Sequence, residues 1–304
     1  MEYNNLLSAY SKRLDFSEVG NDMLEMLTCQ LGAGKLVPLR DSHSRGASGY
    51  AVGRWETKGS SYFIKGFLVN NAKKKDFKTF EREYATINLG ITDIQKPVYL
   101  LQGSWWMICM EWINGKKCEI QLYPTLAIKT LADFHSGRSK KVIISESIEL
   151  TCEVPEEFLK ALESITVAPR DYLDLVLKEV ENKPELILCH LGGWPDNVIV
   201  DNGRPVLVDW ASARGAFLEL DYALPLALAI LANIKPAGDK SFEIAELSSK
   251  LLLGSIIYWS GYIFNITGNT EFTDFDVNIL NEWFRWLGVD TETIIFKQKG
   301  ENGK

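Results

Sequence analysis

The sequence predicts an α+β fold in two lobes, a small antiparallel β-sheet lobe with one key helix and then a larger, mainly helical lobe. Three observations predict it. The chain has 304 residues, about the length at which single cores begin to split in two. Up to about residue 115, short β-rich runs alternate with turn residues. Beyond that point apolar residues recur mostly at helical spacing. The lobe boundary is drawn at 111/112, giving lobes 1–111 and 112–304.

In the first lobe, Tyr50–Trp55, Ser61–Phe67, Val98–Leu101 and Trp105–Ile113 read as strands. Runs bounded by Gly and Asn and separated by a few residues are most easily joined as hairpins, so the sheet is antiparallel. One helix interrupts them over Asp76–Leu89, where Phe77, Phe80, Tyr84 and Ile87 recur at spacings of three and four. In the second lobe, Pro124 starts a helix that runs to about His135, and Ser136-Gly137 stops it. Further helices are predicted at Pro155–Ile165, Tyr172–Glu181, Ala223–Ile234, Phe242–Phe264 and Phe275–Leu287. The last carries Phe275, Ile279, Leu280, Trp283, Phe284 and Leu287 on one stripe, a core pattern. Between the helices, strands Asn197–Val200 and Val206–Val208 flank Asn202-Gly203, a strong hairpin signal.

Composition excludes several function classes. Apolar residues at 46% and charged residues at 24% describe a packed globular chain. Thirty-three basic residues against forty acidic ones leave a formal charge of -7, which disfavours general nucleic-acid binding, since phosphate affinity needs clustered positive charge. The five cysteines are scattered with no C-x-x-C pair, suggesting neither a disulfide framework nor a zinc site. The first twenty residues do not resemble a secretory signal, and a cytoplasmic, reducing location is expected. Leu251–Thr270 is uncharged, but its Gly, Ser and Asn residues leave an apolar part short of the roughly twenty residues a bilayer needs. A buried core helix is expected there, with no membrane contact.

Polar residues crowd both ends of the hairpin. His190-Leu191-Gly192-Gly193-Trp194-Pro195-Asp196-Asn197 precedes it and Val208-Asp209-Trp210 follows it. An Asn and an Asp at opposite ends of a tight hairpin are brought close, and such oxygen ligands suit Mg²⁺ together with phosphate oxygens. Asn197 and Asp209 are therefore the candidate metal ligands. The His seven residues before Asn197 and the Asp twelve after it have the spacing of a kinase catalytic loop and its metal-binding Asp.

The run from His190 to Asp209, with Arg214, Glu219 and Asp221-Tyr222-Ala223-Leu224 after it, resembles the catalytic hairpin of the aminoglycoside phosphotransferase and choline kinase-like superfamily. Those enzymes show His-Gly-Asp-x-x-x-x-Asn, then Ile-Asp-Trp or similar, then an Asp-Leu-Ala-like helix start. The resemblance implies a protein kinase-like fold, ATP or GTP with Mg²⁺ as cofactors, and a small-molecule hydroxyl acceptor. It extends to Ser42–Tyr50, similar to a nucleotide-covering turn with Gly46, Ser48 and Gly49 at the phosphates. Tyr62-Phe63-Ile64-Lys65 is similar to the strand carrying the phosphate-binding Lys.

The helix from Asp76 should carry the acid that holds Lys65. Glu81 and Glu83 flank its apolar stripe about equally, so periodicity alone leaves both open. The superfamily's Arg-Glu-x run resembles Arg82-Glu83-Tyr84, which favours Glu83. The stretch Met107–Gly115 resembles the segment linking the lobes, with Glu111, Trp112 and Ile113 at the nucleotide base; an edge strand ending in a turn accounts for the same residues.

One position departs from the resembled pattern. The general base lies two residues after the His, and here that position is Gly192. Asp196, the only acid inside the loop, is a candidate replacement; its alternative role is to stabilise the loop. His190 reads as structural, and neither His43 nor His135 has a His or Cys at metal-ligand spacing. The expected activity is phosphoryl transfer to a small-molecule hydroxyl, with a nucleotide-binding pseudokinase as the alternative. Glu271, Asp274, Asp276, Glu282, Asp290 and Glu292, set against Arg285, would favour a cationic acceptor if they line its cleft, as C-terminal helices do in the resembled family; a solvated acidic face accounts for the same residues. Asp221 follows Asp209 by only twelve positions, which disfavours a protein substrate.

Overall fold

The computed structural model describes residues 19–39, 50–88, 97–137, 178–179, 187–238, 244, 247–267 and 277–289. The predicted helix Pro155–Ile165, the glycine-rich turn with Gly46, Ser48 and Gly49, and Phe275 lie outside them. Two compact units emerge. Among the described residues, the first unit comprises those up to Lys117 together with Ile199–Ala213, and the second comprises Cys118–Val198 and those from Arg214 onward. The hairpin between the two motif halves thus belongs with the N-terminal sheet.

The first unit holds helix α1 (Asn21–Leu31), strands β1 (Gly34–Pro38), β2 (Ala51–Thr57) and β3 (Ser61–Leu68), helix α2 (Lys74–Ile87), and strands β4 (Pro97–Gln102) and β5 (Trp105–Glu111). The strands form one antiparallel sheet in the order β1-β2-β3-β5-β4. In β2, Ala51, Gly53 and Trp55 are buried and Val52 and Arg54 are less so, the period of a half-buried strand. In β3, Ile64–Phe67 are all buried, because helices cover both faces of the central strands. Ile64, Met107 and Cys109 pack with Met23 and Leu27 of α1. Residues of opposite parity serve α2: Phe67 meets Phe80 and Phe77 edge-on, with centroids 4.7 and 5.1 Å apart. Lys65 shares parity with Phe67, so the strand's alternation aims it at α2.

The sequence analysis did not assign α1 or β1. Met23, Leu27 and Leu31 repeat every four residues and are all buried, a legible helical face. β1 is an edge strand, mostly exposed and ending in Pro38, so it lacks both alternation and length. The hairpin is β8 (Val198–Asp201) and β9 (Arg204–Leu207), with β6 (Lys116–Lys117) paired on the β8 edge. Asn202 and Gly203 have φ of 49° and 80°, the double left-handed pair that a tight hairpin turn requires.

The second unit contains helix α3 (Tyr123–Gly137), a two-stranded ladder of β7 (Ile187–Cys189) and β10 (Arg214–Ala216), and helices α4 (Leu218–Leu231), α5 (Ser249–Thr267) and α6 (Val277–Leu287). α4 begins before the predicted Ala223 because Glu219 and Asp221, acids favoured in a first turn, already belong to it. α5 starts later than the predicted Phe242. Its first turn is capped by Glu219, whose Oε1 accepts the Ser248 N–H at 2.7 Å, and by the Ser248 hydroxyl, 3.4 Å from the Leu251 N–H. On α6, Ile279, Leu280, Trp283, Phe284 and Leu287 are buried, as their stripe predicts. No helix among the described residues is long and apolar enough to cross a membrane.

Candidate functional site

Lys65 is the centre of the polar cluster in the first unit. It is 4% exposed, and its Nζ lies 3.0 and 2.9 Å from the two carboxylate oxygens of Glu83 on α2 and 2.6 Å from Asp209 Oδ1. A buried ammonium needs such partners. Burial alone would lower the Lys65 pKa, but the Asp209 and Glu83 charges outweigh it and hold the pKa above its ordinary value. Glu83 is fully buried, and burial pushes its carboxyl up to about 7, Lys65 offsetting only part of this and Asp209 adding to it. Glu81, the rival left open by periodicity, is exposed. The Tyr50 ring sits 5.3 Å from the Lys65 ammonium, a cation–π contact.

Asp209 has φ 61° and ψ 72°, left-handed backbone for a residue with a Cβ. Such a conformation costs on the order of 1–3 kcal/mol and persists only where the surroundings over-determine it. Here they do. The Trp210 side chain is buried and donates its Nε1–H to Leu207 O at 3.3 Å. The turn Trp210–Ser212 closes through Ala213 N–H to Trp210 O, and Arg82 donates to Ala211 O at 2.8 Å. The Asp209 side chain keeps 37% exposure while one oxygen meets Lys65, which suits a carboxylate that would also bind a hard cation.

In the second unit the loop after β7 is held by its own backbone. Gly192 N–H donates to His190 Nδ1 at 3.1 Å, and Trp194 N–H to Gly192 O at 2.7 Å. Asn197 Nδ2 also donates to Gly192 O, at 2.7 Å, which turns the amide oxygen the other way as the end able to serve a cation. The Tyr123 hydroxyl donates to Gly193 O. Asn197 ends a short 3-10 turn, Pro195–Asn197, rather than starting the strand, and Asp196 sits half-buried inside that turn. His190 is fully buried, in keeping with a structural role.

Asp221 organises this loop. It is 2% exposed; Oδ2 accepts the His190 N–H at 2.9 Å and lies 2.9 Å from His135 Nε2, and Oδ1 accepts the Leu191 N–H at 2.8 Å. Burial would raise its pKa, but these donors and the two histidines hold it below the ordinary carboxylate value. The sequence analysis set His135 aside for want of a neighbour at ligand spacing. The fold supplies neighbours: ligand atoms of His135, Cys189 and Asp221 lie within 4.8 Å of one another. The atoms are already engaged, since the Cys189 thiol faces Ala216 O and Phe217 O at 3.6 and 3.7 Å, and burial raises its pKa well above the usual thiol value. The cluster therefore reads as a support for the loop. Long-range pairs of this kind leave no local spacing to detect.

The remaining predicted residues lie near the end of β5. Glu111 is exposed and faces Tyr62 in register. Trp112 donates its N–H to Ser61 O at 3.3 Å and carries the Arg54 guanidinium 5.1 Å from its ring centroid. Ile113 is half-buried. Of the acidic C-terminal residues, Glu282 is described and pairs with Lys235 at 2.8 Å.

No family model matches the sequence, and no curated protein matches it. Solved structures do match. The amicoumacin kinase hAmiN, in complex with AMP-PNP, Ca²⁺ and Ami, is similar at 16% identity, with a TM-score of 0.50, over 88% of this chain and 92% of its own. The microcompartment-associated aminopropanol kinase is similar at 9% identity, with a TM-score of 0.51, over 82% of this chain and 95% of its own. These likenesses show the fold, and with it the class predicted from the sequence: the chain has the two-lobed protein kinase-like fold found in these small-molecule kinases.

Proposed function

We propose that the chain is an ATP-dependent phosphotransferase acting on a hydroxyl of a small molecule. The observation that carries this reading is the buried Lys65 ammonium held between Glu83 and Asp209. A lysine buried against two carboxylates with perturbed titration marks a candidate functional site, and a nucleotide's phosphates are a use for its charge. In this reading Glu83 fixes Lys65, Lys65 supplies a point charge to the phosphates, and Asp209 and Asn197 hold Mg²⁺. Each residue taken by itself offers an oxygen of a kind that a hard cation takes, Asp209 a part-exposed carboxylate and Asn197 an amide whose nitrogen is engaged. When bound, Mg²⁺ would neutralise charge on the transferred phosphoryl group. Glu111, Trp112 and Ile113 would border the base, and Gly46, Ser48 and Gly49 the phosphates. Amine-bearing alcohols are the first acceptors to test, because the names of the similar enzymes include an aminopropanol kinase.

A second reading is favoured by Gly192. A chain without a carboxylate there could bind Mg²⁺–nucleotide and act as a pseudokinase. Thermal unfolding with Mg²⁺–ATP or Mg²⁺–GTP tests the part that both readings share. At a ligand concentration of a hundred times Kd the stabilisation is about 2.7 kcal/mol, a rise in Tm of about 4 °C for a chain of 304 residues. Asp209→Ala should abolish that rise. Absence of any rise in the wild type sinks both readings. ADP release with a panel of amino alcohols and aminoglycosides then separates enzyme from pseudokinase.

A further inference from the structure

α2 carries two adjacent residues that face different parts of the cluster. Glu83 meets the Lys65 ammonium, while Arg82 extends its guanidinium to the Ala211 carbonyl at 2.8 Å, across 129 positions of sequence. Ala211 lies in the turn that directly follows left-handed Asp209, and α2 packs against that turn. Glu83 is fully buried, so the helix has little freedom to rotate without breaking its ion pair. One rigid helix therefore holds the lysine through Glu83 and the turn behind the aspartate through Arg82. The strained backbone at Asp209 needs such a hold, because relaxing φ from 61° would swing the carboxylate away from Lys65.

We infer that Arg82 is a positioning residue that locks the backbone behind Asp209 to α2, so that the aspartate is preset for a metal–nucleotide while Lys65 is preset for its phosphates. This inference rests on the phosphotransferase or pseudokinase reading of the same site. It goes further by assigning a task to a residue outside the predicted ligand set. A hydrogen bond from a charged donor to a carbonyl is among the stronger ones, and a carbonyl alone does not need an arginine's second arm. A lysine at position 82 can still donate to it, whereas a methionine keeps the stem and loses the donor.

The test is nucleotide binding by calorimetry with wild type, Arg82→Met and Arg82→Lys, using ADP with Mg²⁺ and ADP with EDTA. Arg82→Met should weaken binding about tenfold with Mg²⁺, because Asp209 is no longer preset. In EDTA it should change binding by less than about threefold, because the Lys65–Glu83 pair is untouched. Arg82→Lys should recover most of the loss. Equal losses with and without metal, no loss at all, or a lysine variant no better than methionine would each overturn the inference while leaving the function reading intact. A wild type that binds no Mg²⁺–nucleotide overturns the function reading, and this inference with it.

Discussion

Restoring a carboxylate at Gly192 is the most informative single change. The room for its Cβ can be worked out. A Cβ built on Gly192 lies 3.2 Å from His190 Cε1, 3.4 Å from His190 Nδ1 and 3.6 Å from Asn197 Nδ2. Only the first contacts are tight, and a ring that yields by a few tenths of an ångström relieves them, a cost of about 1 kcal/mol. Gly192 is not among the glycines with left-handed backbone, so a side chain adds no φ strain. The bonds from Gly192 N–H to His190 and from Asn197 to Gly192 O do not involve the side-chain position and should survive. Gly192→Asp should therefore unfold within a few degrees of wild type. If a general base is what the site lacks, turnover should rise by about 10² to 10⁴, equivalent to about 3–5 kcal/mol of barrier. The assay is steady-state ADP release with the amino-alcohol and aminoglycoside panel, alongside a melting curve. A variant that melts normally, binds Mg²⁺–ATP and turns over no faster than an active wild type would refute the missing-base argument. In that outcome Asp196→Ala becomes the next variant, since Asp196 is the acid left in the loop.

Two further predictions concern the buried carboxylates. Glu83 has its folded pKa raised to about 7 from 4.5, so the folded chain holds that proton more firmly than the unfolded one; the stability it confers is complete below about 4.5 and is lost as pH rises towards 7. Glu83→Gln should remove this pH dependence: the fall in urea stability between pH 5 and pH 8 should be smaller in the variant than in the wild type. Identical pH profiles would refute the assignment. Asp221 has the opposite sign, a depressed pKa, so its contribution is present above the ordinary carboxylate value and disappears as pH falls through the lowered one. Asp221→Asn turns an amide N–H₂ towards donors that need acceptors and should cost about 3–5 kcal/mol at pH 7. Amide exchange should accelerate at Leu191, whose N–H loses its acceptor, and an unchanged Leu191 rate would refute the role given to Asp221.

What the sequence displayed and what it hid divide along a physical line. The β-rich runs at Ser61–Phe67 and Trp105–Ile113, the α2 stripe, the Asn202-Gly203 turn and the α6 stripe are local signals, and each element formed within a few residues of its expected bounds. The face of β3 that Lys65 occupies follows from the alternation of side chains along a strand. The choice between Glu81 and Glu83 was not local: both flank the stripe, and only the sheet packed on one side of α2 buries the second and exposes the first. His135 and Asp221 lie 86 positions apart, and Arg82 and Ala211 lie 129 apart. No periodicity joins residues at such distances. The late start of α5 is hidden for the same reason, because its cap comes from Glu219 on a different helix. β1 was missed for want of contrast, a short edge strand that ends in proline.

The loop itself shows why Gly192 changes chemistry more than shape. In the pattern this run resembles, glycine follows the histidine and the carboxylate comes next. Here Leu191 stands at the first of those positions with φ of 51°, a conformation glycine adopts without strain, and Gly192 stands at the second, where φ is not left-handed. The backbone freedom of glycine is therefore absent where the turn would use it and present where nothing requires it. Leu191 is held in its unfavourable conformation by burial and by its N–H bond to Asp221, at a cost on the order of 1 kcal/mol or more. The architecture of the loop thus survives without the glycine that would suit it, carried by Asp221, Tyr123 and Asn197. What Gly192 takes away is a side chain and not a turn, so any loss of activity at this site should be chemical and reversible by a single carboxylate, at a cost to stability of about 1 kcal/mol.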